Sequence, residues 1–422
     1  MILLATWSQI SSAQIALGTT KAVWNAAGFG TLSAANTSIA GDGSTIWPAL
    51  ESLESPAALE PQLSVLRLLF PWAAVSMKVL QPTGDLVADG MYPSIVTWPG
   101  AVRIHVTGKV DNVAPNFNKQ IRVYGQNRNN FAIAAEGPLE VTPTDTLLDH
   151  GRPHLAYGPA SGDRFLCWTD KNATVEHVNS KVKDQATWLA STEHIVSATA
   201  DVEDHCYQAF WTDGARYTVY HRNGAGDDIF LEITTWNGTT WSEPVADFQL
   251  QGSADADFPA IWISASSILN GSKAFIVAKS SNPDNILFWE CAGVRTACDS
   301  SGEFGVSTTI SAGGDHFDPK PFAMMVPDSF PAEHNVYVVY QKQALPRKVK
   351  LLKRCAGAAT FTEIGSLPLP ASYGMFQHEE LGANLSSRTR RSMSMGRQHT
   401  SVFWRVTTLP LPKCSAMTLS SS

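Results

Sequence analysis

The chain reads as an all-β protein, a six- or seven-bladed β-propeller of four-stranded antiparallel blades, and three observations predict it. Short runs rich in β-branched and aromatic residues recur, each bounded by Gly, Pro, Asn or Asp, and no long stretch of helical periodicity follows residue 85. The runs group in fours. The groups open about every 50 to 65 residues, the spacing of a four-stranded propeller blade.

The clearest unit starts at Asp257. Phe258–Ser264, Lys273–Lys279, Asn285–Glu290 and Gly305–Ile310 read as four successive strands with turn signals between them. A second unit repeats the order with Pro321–Val326, Asn335–Tyr340, Val349–Arg354 and Thr360–Ile364. The third run of each ends on Cys-Ala-Gly, at Cys291 and at Cys355, which sets the two units in register. Upstream units open at Asp89-Gly-Met-Tyr-Pro93 before Ser94, at His150-Gly-Arg-Pro153 before His154, and at Asp204 before Cys206. Leu381–Trp404 supplies a looser unit. Residues 85–405 thus form the propeller, 406–422 a tail, and 1–84 a segment that completes a blade or stands apart. Within it Leu63–Phe70 reads equally as a strand or a short helix.

Composition sets the class. In 422 residues, 44% are hydrophobic and 16% charged, enough for a large core and too few charges for a disordered chain. A net charge of -7 gives no basic footprint, so nucleic acid is not an expected partner. The longest apolar stretch, Leu63–Leu80, is broken by Arg67, Pro71 and Lys78, which argues against a bilayer span.

The chain has 6 cysteines and no metal-type Cys/His cluster. Cys291 and Cys298 are spaced for a disulfide closing a loop between strands, against the alternative of two free thiols. Cys167 and Cys206, flanked by Phe165, Trp168 and Tyr207, read as small buried hydrophobes. Asn-x-Ser/Thr sequons at Asn36, Asn172, Asn237, Asn270 and Asn384 fit surface turns of a glycoprotein. Met1–Trp7 lacks the basic start and long apolar core of a signal peptide, so an extracellular location is expected from cysteines and fold.

The Asp-Phe-Pro opening at Asp257, the aromatic-rich inner runs and Trp236-Asn-Gly-Thr-Thr-Trp-Ser-Glu-Pro244 resemble the sialidase-like superfamily of six-bladed propellers across residues 85–405. Ala40-Gly-Asp-Gly-Ser-Thr-Ile-Trp47 is similar in spacing to that family's Asp-box, a fold-stabilising turn, with Asp42 and Trp47 in place. The catalytic motifs are not intact. Arg103-Ile104 is followed by His105 where the family has Pro, and Arg152-Pro153 lacks the intervening residue. The resemblance implies the fold and leaves catalytic residues unassigned.

In a propeller the segments leading into each innermost strand open on one face. The ligand-binding candidates on them are Asp89, Arg152, Asp204, His205, Asp257, Asp315, His316 and Asp318, with His378 and Glu379 in the looser unit. Mixed carboxylate and imidazole groups suit sugar hydroxyls, which donate and accept hydrogen bonds. An Asp before a strand also commonly bonds its own turn, the plainer reading of each. Of 13 tryptophans, Trp98, Trp168, Trp211, Trp262, Trp289 and Trp404 fall in apolar runs and pack between blades, whereas Trp188, Trp236 and Trp241 beside turns are candidates for exposure. Asp315–Asp318 and His150–His154 are ordinary turn spacings, so neither metal nor cofactor is expected. Arg388, Arg390, Arg391 and Arg397 could grip an acidic sugar or sulfate, with a solvated charged loop as the simpler account.

Three functions follow. The favoured one is an extracytoplasmic recognition propeller that binds glycans or a protein surface through loops on one face. The second is a sialidase-like glycoside hydrolase with paired carboxylates at the channel mouth. The third is a structural scaffold.

Overall fold

The computed structural model describes residues 14–21, 34–41, 45–52, 62–69, 73–80, 88–97, 101–112, 119–142, 149–150, 153–158, 163–171, 176–183, 188, 193–197, 202–211, 213–222, 227–264, 272–281, 283–293, 295–325, 333–342, 344, 348–368, 381–382, 394–397 and 400–407. The fold is a β-propeller. Six antiparallel sheets follow one another in sequence, and a seventh joins the two ends of the chain.

Blade one comprises Ala34–Gly41, Thr45–Ser52, Gln62–Leu69 and Ala73–Val79, so residues 63–69 are strand and not helix. Blade two comprises Ala88–Thr97, Arg103–Asn112, Lys119–Asn127 and Glu136–Glu140. In blade three Asp149–His150 and His154–Tyr157 share the inner position, followed by Arg164–Lys171, Glu176–Lys183 and Glu193–Ser197. Blade four comprises Val202–Phe210, Arg216–Arg222, Asp228–Trp236 and Trp241–Gln249. Blade five comprises Ala256–Ser264, Lys273–Ser281, Asp284–Ala292 and Thr308–Ala312, and blade six His316–Met325, His334–Lys342, Lys348–Arg354 and Thr362–Pro368. The closing sheet pairs Gln14–Lys21 with Thr400–Thr407, then Ser394–Arg397 and Leu381–Gly382. Such closure removes the unpaired edge that an open ring would expose.

The Pro-containing openings have a structural reason. The inner strands begin before Ser94, Cys206, Pro259 and Pro321, and each crosses a bulge near the expected start. In blade two Met91 pairs with Lys109 and Ser94 with Thr107, leaving one extra residue on the inner strand. The same break separates Asp257 from Ala260 and Phe317 from Lys320, and a wider one separates Val202 from Cys206. In blade three it lies between His150, paired with Asp170, and His154, paired with Cys167. Pro93, Pro153, Pro259 and Pro319 stand in these breaks, where the N–H that proline lacks is not needed by the ladder. Tyr92 and Phe258 hold the extra position at φ 53° and 52°, and the bulge re-aims the side chains beside it.

The core lies between blades, not within one. Val96, Ile121 and Val123 of blade two meet Leu155, Leu166 and Trp168 of blade three. Tyr217, Val219 and Leu231 of blade four meet Ile261, Ile276 and Trp289 of blade five. A blade buried on both faces needs near-continuous apolar strands. Residues 274–278 of the second strand of blade five are apolar and buried at every position, while the outer Trp241–Gln249 has no buried position.

Two sequence readings are corrected here. Cys167 and Cys206 form a disulfide, with Cα atoms 6.4 Å apart, that ties the second strand of blade three to the inner strand of blade four. Adjacent blades bring the two thiols together, a proximity invisible in a linear reading. Trp188 is 1% exposed, because it fills the seam between blades two and three with Leu155 and Trp168. The expected Cys291–Cys298 disulfide is present and closes the turn after the third strand of blade five.

Candidate functional site

A four-stranded meander fixes which loops share a face. Segments entering the inner strands and those joining second to third strands lie on one side, here the opening face. Turns joining first to second and third to fourth strands lie on the other.

On the opening face, two blades converge on one carboxylate. Asp257, second in the inner strand of blade five, accepts the Phe258 backbone N–H at 2.6 Å in an arrangement set by the bulge. Oδ1 of Asp257 lies 3.3 Å from Nδ1 of His205 and 3.7 Å from Nδ1 of His221, both from blade four. Nε2 of His221 lies 3.8 Å from Oδ1 of Asp227, and the His205 ring packs on Phe258 with centroids 4.4 Å apart. Burial pushes the Asp257 carboxyl up, but His205 as charge and hydrogen-bond donor, His221, and the Phe258 amide outweigh it and hold it below the ordinary carboxylate range. The side chains remain reachable, at 15% exposure for His205, 25% for Asp257 and 44% for Asp227.

Behind this cluster the inner strands line the channel. The His154 and Tyr207 rings lie 3.8 Å apart, and Nζ of Lys320 sits 5.0 Å from the Tyr207 ring. Burial, aided by the Lys320 charge, lowers the His154 imidazole to about 3. Gln208 donates to the carbonyls of His154 and Phe165 at 2.7 and 3.0 Å.

Of the predicted site residues, His205 and Asp257 are brought together. His316 joins a separate cluster. Its Nε2 lies 3.0 Å from the Ser311 hydroxyl, its Nδ1 3.0 Å from the Asp284 carbonyl, and its ring meets Tyr340 edge-on. Asp315 is exposed in the preceding turn, at φ 51°. Asp89, Asp204 and Asp318 fall in the inner strands of blades two, four and six, but their side chains lie outside the described residues. Arg152, His378 and Glu379 lie outside them altogether.

Two polar clusters on the opposite face escaped the sequence reading. Between blades two and three, Arg103, His105, Glu136, Tyr157 and Arg164 line a cavity of about 360 Å³. Between blades three and four, Nε2 of His194 lies 2.7 Å from Oε1 of the fully buried Glu232, whose Oε2 lies 3.6 Å from Nη2 of Arg216. Arg216 also donates to the Ser180 and Thr234 hydroxyls and stacks on Trp241 at 4.4 Å. Burial raises the Glu232 carboxyl well above its usual range against the opposing Arg216 charge, and a hydrogen bond to Glu243 adds to the rise. His194, Glu232 and Glu243 have ligand atoms within 4.8 Å of one another, a spacing that could take a metal ion.

No family model matches the chain, and no curated protein matches it. Among solved structures it is similar to an α-L-arabinanase of Penicillium chrysogenum, with 13% identity, 78% of this chain and 94% of that one covered, and a TM-score of 0.47. It is similar to the polysaccharide lyase Uly1, at 11% identity over 88% of this chain and 90% of that one, TM-score 0.49. A sialidase of Trypanosoma rangeli in complex with sialic acid matches at 10% identity and a TM-score of 0.43, over 89% of this chain and 54% of the sialidase. The chain thus spans about half the length of that sialidase. At these identities the activities named belong to those proteins alone.

Proposed function

We propose that the protein is an extracytoplasmic recognition propeller that binds glycans at its opening face without breaking glycosidic bonds. The observation that carries this reading is the Asp257 carboxylate, held ionised between His205 and His221 at a reachable position where two blades meet. A fixed acceptor flanked by imidazole donors matches vicinal sugar hydroxyls. The disulfides Cys167–Cys206 and Cys291–Cys298 fit an oxidising compartment. Among the described residues no helix is long and apolar enough to cross a membrane.

Glycoside hydrolysis is the alternative reading. It needs a reachable carboxylic acid that stays protonated, set across the scissile bond from a second carboxylate. Asp257 is pushed the other way. Glu232 is pushed in the required direction, but its side chain is 0% exposed and Oε1 lies 2.7 Å from Nε2 of His194.

The test pairs a glycan array with a panel of aryl glycosides, using wild type and an Asp257→Asn, His205→Gln double variant confirmed to be folded at the assay temperature. Binding by wild type, loss of binding by the variant and no turnover by either support the proposal. Turnover that disappears on replacing one Asp or Glu of the opening face would contradict it.

A further inference from the structure

The cavity between blades two and three stands on the face opposite Asp257, and its chemistry is different. At about 360 Å³ it falls at the lower end of the range for small-molecule sites. Its wall carries two guanidiniums, Arg103 and Arg164, against one carboxylate, Glu136. Arg103 Nη1 pairs with Glu136 Oε2 at 2.8 Å, and both side chains are partly exposed. Asp163 lies within electrostatic reach of Arg164 but does not line the cavity.

Arg164 is built in. Its Nη1 donates to Nε2 of His105 at 2.7 Å, the one hydrogen bond its guanidinium makes among the described residues. Because a guanidinium only donates, Nε2 accepts, and the His105 proton resides on Nδ1. That nitrogen in turn donates to the Tyr157 hydroxyl at 2.7 Å. His105 is 7% exposed, so Arg164 is anchored from behind by a buried, neutral imidazole. A guanidinium has five N–H groups in a planar fork, and the remaining edge suits a bidentate oxyanion. Burial disfavours the Arg164 cation, the Glu136 and Asp163 charges support it, and the Arg103 charge works against it. An incoming anion relieves that crowding. Burial outweighs the Arg164 charge and pushes the Tyr157 hydroxyl up to about 12, so it stays a neutral hydrogen-bonding group at physiological pH.

We propose that this cavity binds a small hydroxy-carboxylate, its carboxylate seated on Arg164 and its hydroxyls facing Glu136 and Tyr157. The site is independent of the opening-face reading. A sulfate ester offers the same oxyanion chemistry.

Calorimetric titration of the full chain with D-glucuronate, D-glucose and inorganic sulfate tests it. Glucuronate is expected to bind at least about tenfold more tightly than glucose, the worth of one charge-assisted contact. Arg164→Lys keeps the charge but loses the fork, and weakens glucuronate by about tenfold. Glu136→Gln removes the competing carboxylate and tightens it several-fold, which a merely structural ion pair would not do. Sulfate that competes more weakly than glucuronate supports the site, whereas sulfate competing at the same concentration would contradict the contacts assigned to the hydroxyls. Loss of glucuronate binding in Asp257→Asn, with Arg164→Lys unaffected, would place the sugar at the opening face and overturn this site without touching the opening-face reading. Equal affinity for glucose and glucuronate, absence of binding, or unchanged affinity in a folded Arg164→Lys variant would overturn the proposal.

Discussion

Nδ1 of His205 stands 3.3 Å from Oδ1 of Asp257 across the joint between blades four and five. The pair does two things at once. It neutralises a partly buried carboxylate, and it stitches two inner strands at the point where each departs from regular pairing. Replacing Asp257 therefore touches both binding and stability, and pH separates the two.

Because the folded Asp257 carboxyl lies below its unfolded value, its contribution to stability is present in full above the ordinary range near pH 4 and is lost as the pH falls below it. Asp257→Asn is expected to lower stability at pH 6 by about 1 kcal/mol, a modest figure for a partly exposed pair. Urea titrations of wild type and variant should converge at acidic pH. A gap that persists unchanged to pH 2 would show that the carboxylate charge plays no part.

His154 offers a second pH test. Its folded value of about 3 lies below the ordinary imidazole value of about 6.5, so the unfolded chain binds a proton that the folded chain refuses. Its contribution is complete above pH 6.5 and is lost as the pH falls from there toward 3. His154→Gln should flatten the wild-type loss of melting temperature between pH 6.5 and pH 4, and an unaltered slope would count against a neutral, buried His154.

For Glu232 the sign reverses. Its folded value is raised, so its contribution is present below the ordinary carboxyl range and is lost as the pH rises through the folded value. Glu243 contributes to that rise through a hydrogen bond and a like charge. Glu243→Gln keeps a polar partner and removes the charge, so the melting temperature at pH 8 should increase while that at pH 4 changes little. A decrease at pH 8 would show that the like charge of Glu243 does not contribute to the raised Glu232 carboxyl.

Both disulfides constrain the unfolded chain, but over different lengths. Cys167 and Cys206 are 39 residues apart, Cys291 and Cys298 only 7. Loop-closure entropy gives about 4 kcal/mol for the longer and about 2.5 kcal/mol for the shorter. Denaturant unfolding of the two double Cys→Ser variants should rank them in that order. The reverse ranking would place the stabilisation in native contacts instead.

The blades were legible because inter-blade packing demands strands that are apolar on both faces, and because the bulges carry a chemical mark. Pro93, Pro153, Pro259 and Pro319 each flag a place where the ladder skips a residue, although a linear reading took the mark for a strand start. Asp257 was legible through the same mark. The opposite-face cavity was not. Glu136 and Arg103 come from different turns of blade two, and Tyr157 and Arg164 flank one turn of blade three, so no spacing joins them. Arg103-Ile104-His105 was the only signal, noticed for its departure from a family motif. Cys167 and Cys206 were hidden for the same reason, since their meeting depends on how one blade seats against the next.

The most direct test of the recognition reading is glycan-array binding by the wild-type protein beside the Asp257→Asn, His205→Gln double variant, both confirmed to be folded. The account predicts a saturable wild-type signal on at least one glycan class, lost in the variant, with the glycan recovered intact. Equal binding by the two proteins, or recovery of a cleaved glycan from the wild type alone, would contradict it.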